Sequence, residues 1–279
     1  MIPENRNNKV YFSSKLRDVS PVAYKGVTEI LDSYGVGHSL LDGTKDIWAR
    51  DYMPLQVRED CLMVYDYTPD YLRLYKKYQP LMSNPIEVCR ANGIKYKESL
   101  GNIRIDGGNV VHCSSKVIMT SKVFEENPSI SVRDLTGLLE TLFEAQLIVL
   151  PWDPREIYGH ADGIVRFVDD DTVIMTNYRH FDKKMAARFL NILQSRFKTV
   201  HVLEYDVPTP YKDNWAYINY LQTDRVLVVP SFGVPEDEQA LSQISMFFPE
   251  YLGRIEMADA RDLVKGGGCF NCASWTVCE

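Results

Sequence analysis

At 279 residues, 45% hydrophobic and 25% charged, the chain has the composition of a soluble globular protein with room for a sizeable core. A net charge of −7 argues against nucleic acid as the partner and suits a small cationic ligand. No apolar run nears the ~20 residues that span a bilayer, residues 1–8 lack the apolar centre of a leader, and six cysteines over this length make no disulfide framework. Together these features predict a cytoplasmic protein with no membrane attachment and reduced thiols.

In chain order, one unit repeats. A β-rich strand over 9–12 is followed by a helical pattern over 24–34, a second strand over 38–41, and the polar stretch Trp48-Ala49-Arg50-Asp51. The next unit has a strand over 62–65, a helix over 85–92, a strand over 94–96, and Asp106-Gly107-Gly108-Asn109. A third has 117–120, 135–145 and 147–150, then Gly159-His160-Ala161-Asp162. The fourth has 173–176, 185–197 and 200–203, then Asp213-Asn214-Trp215 through Asn219. The fifth has 226–229, 238–248 and 254–257, then Gly266-Gly267-Gly268-Cys269-Phe270-Asn271-Cys272. The first strands, at Val10, Leu62, Val117, Val173 and Val226, are spaced by 52, 55, 56 and 53 residues. Such regularity marks a repeat architecture, and with no Pro/Ser-rich linker between units it predicts one closed, roughly five-fold α/β array. An ordinary doubly wound α/β sheet could give similar strand spacing.

In repeat arrays the equivalent segments fall on one face, and that face usually binds. Here they would gather carboxylates, an imidazole and a thiol. Each residue also has a local reading. Asp51 could pair with Arg50 or cap the turn before Pro54, and Asp106 could bond the backbone of its Gly-Gly turn. Trp48 could be core, and His160 a structural histidine. Asn219 falls in the alternating stretch 217–220, which reads as a strand, where a buried Asn needs a hydrogen-bond partner. Cys269-x-x-Cys272 has neither the second pair nor the nearby His of a zinc site, and too little chain follows it for a thioredoxin-like helix. It is the combination of residues that points to chemistry.

Trp48-Ala49-Arg50-Asp51-Tyr52-Met53-Pro54, Asp106-Gly107-Gly108-Asn109, Gly159-His160-Ala161-Asp162 and Gly266-Gly267-Gly268 with Cys272 resemble, in order, the motifs of the agmatine deiminase and bacterial (porphyromonas-type) peptidylarginine deiminase family. The resemblance covers nearly the whole chain. It implies a five-bladed pseudo-symmetric α/β propeller, the pentein fold, formed as a single catalytic domain over 1–279 of five ββαβ-like repeats. It also implies hydrolysis of a small guanidino compound, agmatine first, with peptidylarginine or another guanidine as the alternative. Homo-oligomerisation is a further family expectation.

A guanidinium carbon is a poor electrophile, so its hydrolysis needs a strong nucleophile, an anionic clamp and a proton source. The resemblance makes Cys272 the nucleophile, through an S-alkylthiouronium intermediate, and Asp51 and Asp162 the bidentate clamp. It makes His160 the general acid and then base, and Asp106 the residue that orients His160 or bonds substrate. Trp48 would cover the guanidinium, and Asn219 is expected on the substrate side. This chemistry needs no metal or organic cofactor. Cys269 has the wrong offset from the glycines to be the nucleophile. Agmatine deiminases usually end G-G-G-N-I-H-C, whereas this chain has Cys269 and Asn271 where that pattern has Asn and His. Its segment before Trp48 is also short, which puts the substrate's distal end in question. An amidinotransferase, or a non-catalytic binding module of the same fold, are the competing readings.

Overall fold

The computed structural model describes residues 1–98 and 102–279. It contains five three-stranded sheets, each built in the same way. A central strand pairs antiparallel with the strand before it (in the first sheet, with the last strand of the chain) and parallel with a strand that follows a helical crossover. The central strands are Lys9–Ser13, Cys61–Val64, Lys116–Thr120, Thr172–Met175 and Leu227–Ser231, close to the expected positions. The crossover helices are Pro21–Ser33, Pro85–Ala91, Val132–Phe143, Lys183–Arg196 and Glu236–Phe247.

Three of these helices begin where side chains satisfy their first N–H groups. The Asn84 side chain accepts from Ile86 and Glu87 ahead of Pro85, Ser131 from Asp134, and Asp182 from Lys184 and Met185. Their apolar stripes face inward: Leu135, Leu139, Leu142 and Phe143 on one helix, and Ala186, Phe189 and Leu193 on another.

Two expected strands move. Residues 94–96 are not a strand; the parallel partner of Met63 and Val64 is Lys97–Glu98. Residues 217–220 do not form a strand either. A 3-10 helix spans Asn214–Ile218, Asn219 caps it, and the strand begins at Leu221. The alternation there came from a helix end whose side chains are buried all round.

The chain closes on itself. Ser274–Val277, the last strand, is the antiparallel partner of Lys9–Ser13, so the first sheet is completed by the end of the sequence. The five polar segments touch in order. Ala49–Tyr52 meets Gly107–Asn109, which meets Ala161–Gly163, which meets Asn214–Ile218. The amide of Asn271 donates to the Asn219 carbonyl at 3.1 Å, and Phe270–Ala273 returns to Ala49–Tyr52. Among the described residues, no helix is long and apolar enough to cross a membrane.

Phe189, fully buried against Val173, Met175, Tyr178 and Leu193, anchors the fourth unit. Phe189→Ala should lower unfolding free energy by about 3–5 kcal/mol in urea titration, the usual cost of such a cavity.

Candidate active site

Cys272 lies in a short helix, Phe270–Ala273, directly after the three glycines. Each glycine has a physical reason. A Cβ on Gly266 would sit 2.8 Å from Trp48 Cζ2, and one on Gly268 would sit 2.7 Å from Trp48 Cζ3 and 2.8 Å from Cys272 Cβ. Gly267 adopts φ +94°, the left-handed region, beside Tyr158. Trp48, the glycine turn and the thiol are therefore packed at backbone distance. A similar approach fixes the second segment, where a Cβ on Gly108 would lie 2.5 Å from His160 Nδ1 and 2.7 Å from Asp51 Oδ1.

Around the thiol the polar contacts are specific. Cys272 Sγ donates to Asp162 Oδ2 at 3.4 Å and accepts from Asn219 Nδ2 at 3.1 Å. The same Asp162 oxygen accepts from Asn219 Nδ2 at 3.2 Å and from Asn271 Nδ2 at 2.7 Å. Asn219 Oδ1 accepts the backbone N–H groups of Cys269 and Cys272, at 2.9 and 3.1 Å. The Asn219 amide is fully buried and all its donors and acceptors are engaged within the protein.

His160 stands between two carboxyl groups. Its Nε2 is 3.1 Å from Asp106 Oδ2, and its Nδ1 is 3.7 Å from Asp51 Oδ1. Burial works to lower its pKa, but Asp51 and then Asp106 outweigh that and push it up to about 10, so the ring carries its proton at neutral pH. Burial, with Asp106 and Asp162 near, holds the Asp51 carboxyl well above its usual range, while His160 pulls it down. Asp51 Oδ1 has no hydrogen-bond partner. Burial is also the main force on Cys272; with Asp162 and Asp51 beside it, the thiol is pushed well above its ordinary value, against the opposing pull of the Asn219 amide. The empty site thus holds a neutral thiol, a protonated imidazole and three carboxyl groups. Arg50, next to Asp51 in sequence, turns away towards Glu4, Asn271 and Thr276.

Two cavities meet at the thiol and share Tyr158, His160, Gly267 and Cys272 in their linings. One, of about 310 Å³, is bounded by Asp46, Trp48, Asp51, Tyr71 and Tyr78. The other, of about 450 Å³, is bounded by Trp152, Tyr178, Phe181, Trp215 and Asp162. Its additional charges are matched: Asp153 accepts from Arg155 and the Tyr178 hydroxyl, and Glu156 accepts the N–H groups of Tyr158 and Gly159. Among the described residues no group of three or more His, Cys, Asp or Glu side chains forms a metal-holding cluster.

The seven residues singled out in the sequence therefore converge, with differences of place. Trp48, Asp51, His160, Asp162 and Cys272 line the cavities. Asp106 lines neither and touches His160 instead. Asn219 also lines neither. Its amide holds Cys272 and Asp162, with each donor and acceptor engaged. Cys269 is buried outside both cavities, where burial and Asp213 raise its thiol well above normal. Sequence reasoning passed over Asp46, Tyr158 and Arg166; only Asp46 had a local signal, an acid two residues before Trp48.

Fold and site together define a pentein with a cysteine–histidine–carboxylate centre. The family model described as Porphyromonas-type peptidyl-arginine deiminase matches residues 24–277, and the chain belongs to that family. The agmatine deiminase of Ectopseudomonas mendocina is 21% identical over 209 residues, 62% of this chain and 54% of that protein. The chain thus spans little more than half the length of the curated relatives it matches. In fold, it superposes on C. jejuni agmatine deiminase with a TM-score of 0.73 at 18% identity, covering 100% of this chain and 95% of the other. It also superposes on the DDAH of Pseudomonas aeruginosa with a TM-score of 0.59 at 12% identity, covering 97% and 99%.

The raised thiol predicts a reactivity pattern. Alkylation of Cys272 by neutral iodoacetamide, followed by mass spectrometry, should be slow at neutral pH and still rising as pH passes 9.0, the ordinary thiol value. Chloroacetamidine, a cation that the carboxyl groups can hold, should react faster than iodoacetamide at pH 7.

Proposed function

We propose that residues 1–279 act as one catalytic domain that hydrolyses a guanidino compound to ammonia and a ureido product, with agmatine as the first substrate. The observation that carries this reading is a buried thiol set among carboxyl groups that outnumber the cations, with Asp51 Oδ1 left unpartnered. Such a site favours a planar cation with several N–H donors, and a guanidinium supplies them in a fork that matches carboxylates.

On this reading Asp51 and Asp162 clamp the guanidinium and Trp48 bounds the pocket beside it. Binding of the cation removes the electrostatic penalty on the thiolate, and Asp162 Oδ2, within reach of Sγ, accepts the thiol proton. The thiolate attacks the guanidinium carbon to form a tetrahedral adduct. His160, protonated and oriented by Asp106, gives its proton to the departing nitrogen, and ammonia leaves. The neutral imidazole then takes a proton from water, which attacks the thiouronium carbon. Collapse breaks the C–S bond and the adduct's hydroxyl proton is lost to water as the ureido product leaves; the thiolate then takes its proton back from Asp162. No step requires a cofactor.

For agmatine the distal amine has a partner in Asp46. Its carboxyl lies in the cavity with Trp48, Tyr71 and Tyr78, and burial raises it to about 7. An amine beside it would favour the ionised form. The larger cavity supports a second reading, a C-terminal arginine peptide, because it offers room and aromatic walls with their charges already matched.

Incubation with agmatine, arginine and C-terminal arginine peptides, assayed for ammonia and ureido product, tests this reading. Turnover should vanish in Cys272→Ala, and Asp162→Asn should lower kcat/KM by about 100- to 1000-fold, the scale for losing a preorganised electrostatic group. The rate should fall as pH rises through about 10, where His160 loses its acid proton. If no guanidine is consumed and Cys272→Ala matches wild type in every assay, the reading is wrong.

Substrate choice is separable. Asp46→Asn should raise KM for agmatine about tenfold, as expected for one lost charge-assisted contact, and leave butylguanidine unchanged. An equal effect on both would remove Asp46 from the amine site.

A further inference from the structure

Glu4 belongs to none of the polar segments and lines neither cavity at Cys272. Its carboxylate is nonetheless placed between two buried guanidiniums. Oε1 is 3.7 Å from Arg50 Nη1, and Oε2 accepts from Arg166 Nη2. Arg50 and Arg166 are only 7% and 2% exposed. Burial works to raise the Glu4 carboxyl, but Arg166 and then Arg50 prevail and hold it below its ordinary value.

Each arginine runs from Glu4 to the backbone of the active site. Arg50 immediately precedes Asp51; its Nε donates to the Asn271 carbonyl at 3.4 Å and its Nη2 to Thr276 Oγ1 at 3.3 Å. Arg166 Nη1 donates to the carbonyls of Ile218 and Tyr220, at 3.4 and 3.0 Å, and its guanidinium lies over the Tyr220 ring at 4.3 Å. Ile218 and Tyr220 flank Asn219, whose amide holds Cys272 and Asp162. Asn271 is the residue before Cys272 and itself donates to Asp162. Arg166 also sits in the strand Val165–Phe167 that follows the Asp162 segment. One carboxylate thus ties together four of the five segments that build the site.

We propose that Glu4 is a positioning residue for the reaction: paired with Arg50 and Arg166, it fixes the carbonyls of Ile218, Tyr220 and Asn271, and through them the placement of Asn219 and Cys272 against Asp51 and Asp162. The physical reason is the like charge of the two guanidiniums. Without an anion between them they repel and lose their shared partner, and backbone carbonyls carry only partial charge to hold them. Nearby His112 does not change this balance at neutral pH, because burial pushes it down to about 4.

Glu4 also borders a separate cavity of about 360 Å³, with His112, Phe167 and Gln222 in its wall. A small carboxylate can therefore be offered to the arginines when Glu4 is truncated.

The proposal rests on the deimination reading for its turnover arm and not for its alkylation arm. Glu4→Ala, Glu4→Gln and Glu4→Asp are compared with wild type for kcat and KM on the guanidine that is turned over. The rate of Cys272 alkylation by chloroacetamidine and Tm are measured alongside. In Glu4→Ala and Glu4→Gln, kcat and the alkylation rate should each drop about 100-fold, the scale of a misplaced reacting group, with KM within about threefold. Glu4→Asp should retain part of both. Formate or acetate should restore Glu4→Ala by about tenfold and leave wild type unaffected. If Glu4→Ala does not fold, the isosteric Glu4→Gln and Glu4→Asp pair carries the comparison. A lower Tm with unchanged kcat and alkylation rate would make Glu4 a tether only, and a folded Glu4→Ala that no carboxylate revives would also overturn the proposal. If wild type consumes no guanidine, the deimination reading fails while the alkylation rates still decide the role of Glu4.

Discussion

Everything at the active site depends on the pairing of Ser274–Val277 with Lys9–Ser13. That ladder, reinforced by Asn7 Nδ2 donating to Thr276 Oγ1 at 2.8 Å across 269 residues of sequence, brings the last polar segment against the first. Without it Cys272 would have no Asp51 opposite and no Trp48 over its glycines. The strand is four residues long, and its register also fixes what lies just before it, the helix Phe270–Ala273 that carries the thiol. A long-range closure of this kind is slow to form because its loop entropy is met before its contacts reward it. The full constellation is therefore assembled only when both ends of the chain are in place.

Closure creates an electrostatic problem that gives the site its character. Three carboxyl groups and a thiol are brought out of water around one imidazole. Burial keeps the proton on Cys272 and pushes Asp51 towards the neutral form, while His160 keeps its proton against burial because Asp51 and Asp106 outweigh it. Arg155, which lines the larger cavity, is paired with Asp153 and Asp182. Arg50 and Arg166 are occupied behind the segments by Glu4 and by backbone carbonyls, so they brace the site without neutralising it. On the proposed reading a substrate supplies the balancing cation, and a thiol held neutral is less open to adventitious alkylation and oxidation.

What could be read from the sequence was what is local. The central strands and crossover helices have their own periodicity and caps, and they stand within a few residues of where the pattern put them. Asp51, Asp106, His160, Asp162 and Cys272 sit in short motifs whose equivalence in the repeat implied that they meet. The failures have a common cause in tertiary context. Residues 217–220 alternate in polarity as a strand does, yet the chain is still turning there, and Asn219 is buried because it binds other segments, not because it faces a sheet. Lys97–Glu98 is paired through its backbone with Met63 and Val64, and its residues carry no β signal of their own. Glu4 and Arg166 fall in no motif and Arg50 reads only as a neighbour for Asp51, since their partners lie as far as 226 residues away.

Asn271 shows how one substitution reshapes the division of labour. Where the agmatine deiminase pattern has His before the cysteine, this chain has an amide that donates to Asp162 Oδ2 at 2.7 Å and leaves its own Oδ1 unpartnered. The amide supplies a hydrogen bond with no proton to exchange, so it orients Asp162 without ever competing with a substrate as a second cation. Among the described residues, His160 is the only imidazole in either cavity lining. On the proposed reading, acid and base duties fall on one ring, whose pKa Asp51 and then Asp106 raise against its burial. The carbonyl of the same Asn271 accepts from Arg50, so the residue couples the proton-free side of the thiol to the Glu4 brace. The unpartnered Oδ1 is the one polar atom of Asn271 not committed to that frame, and the residue lines neither cavity.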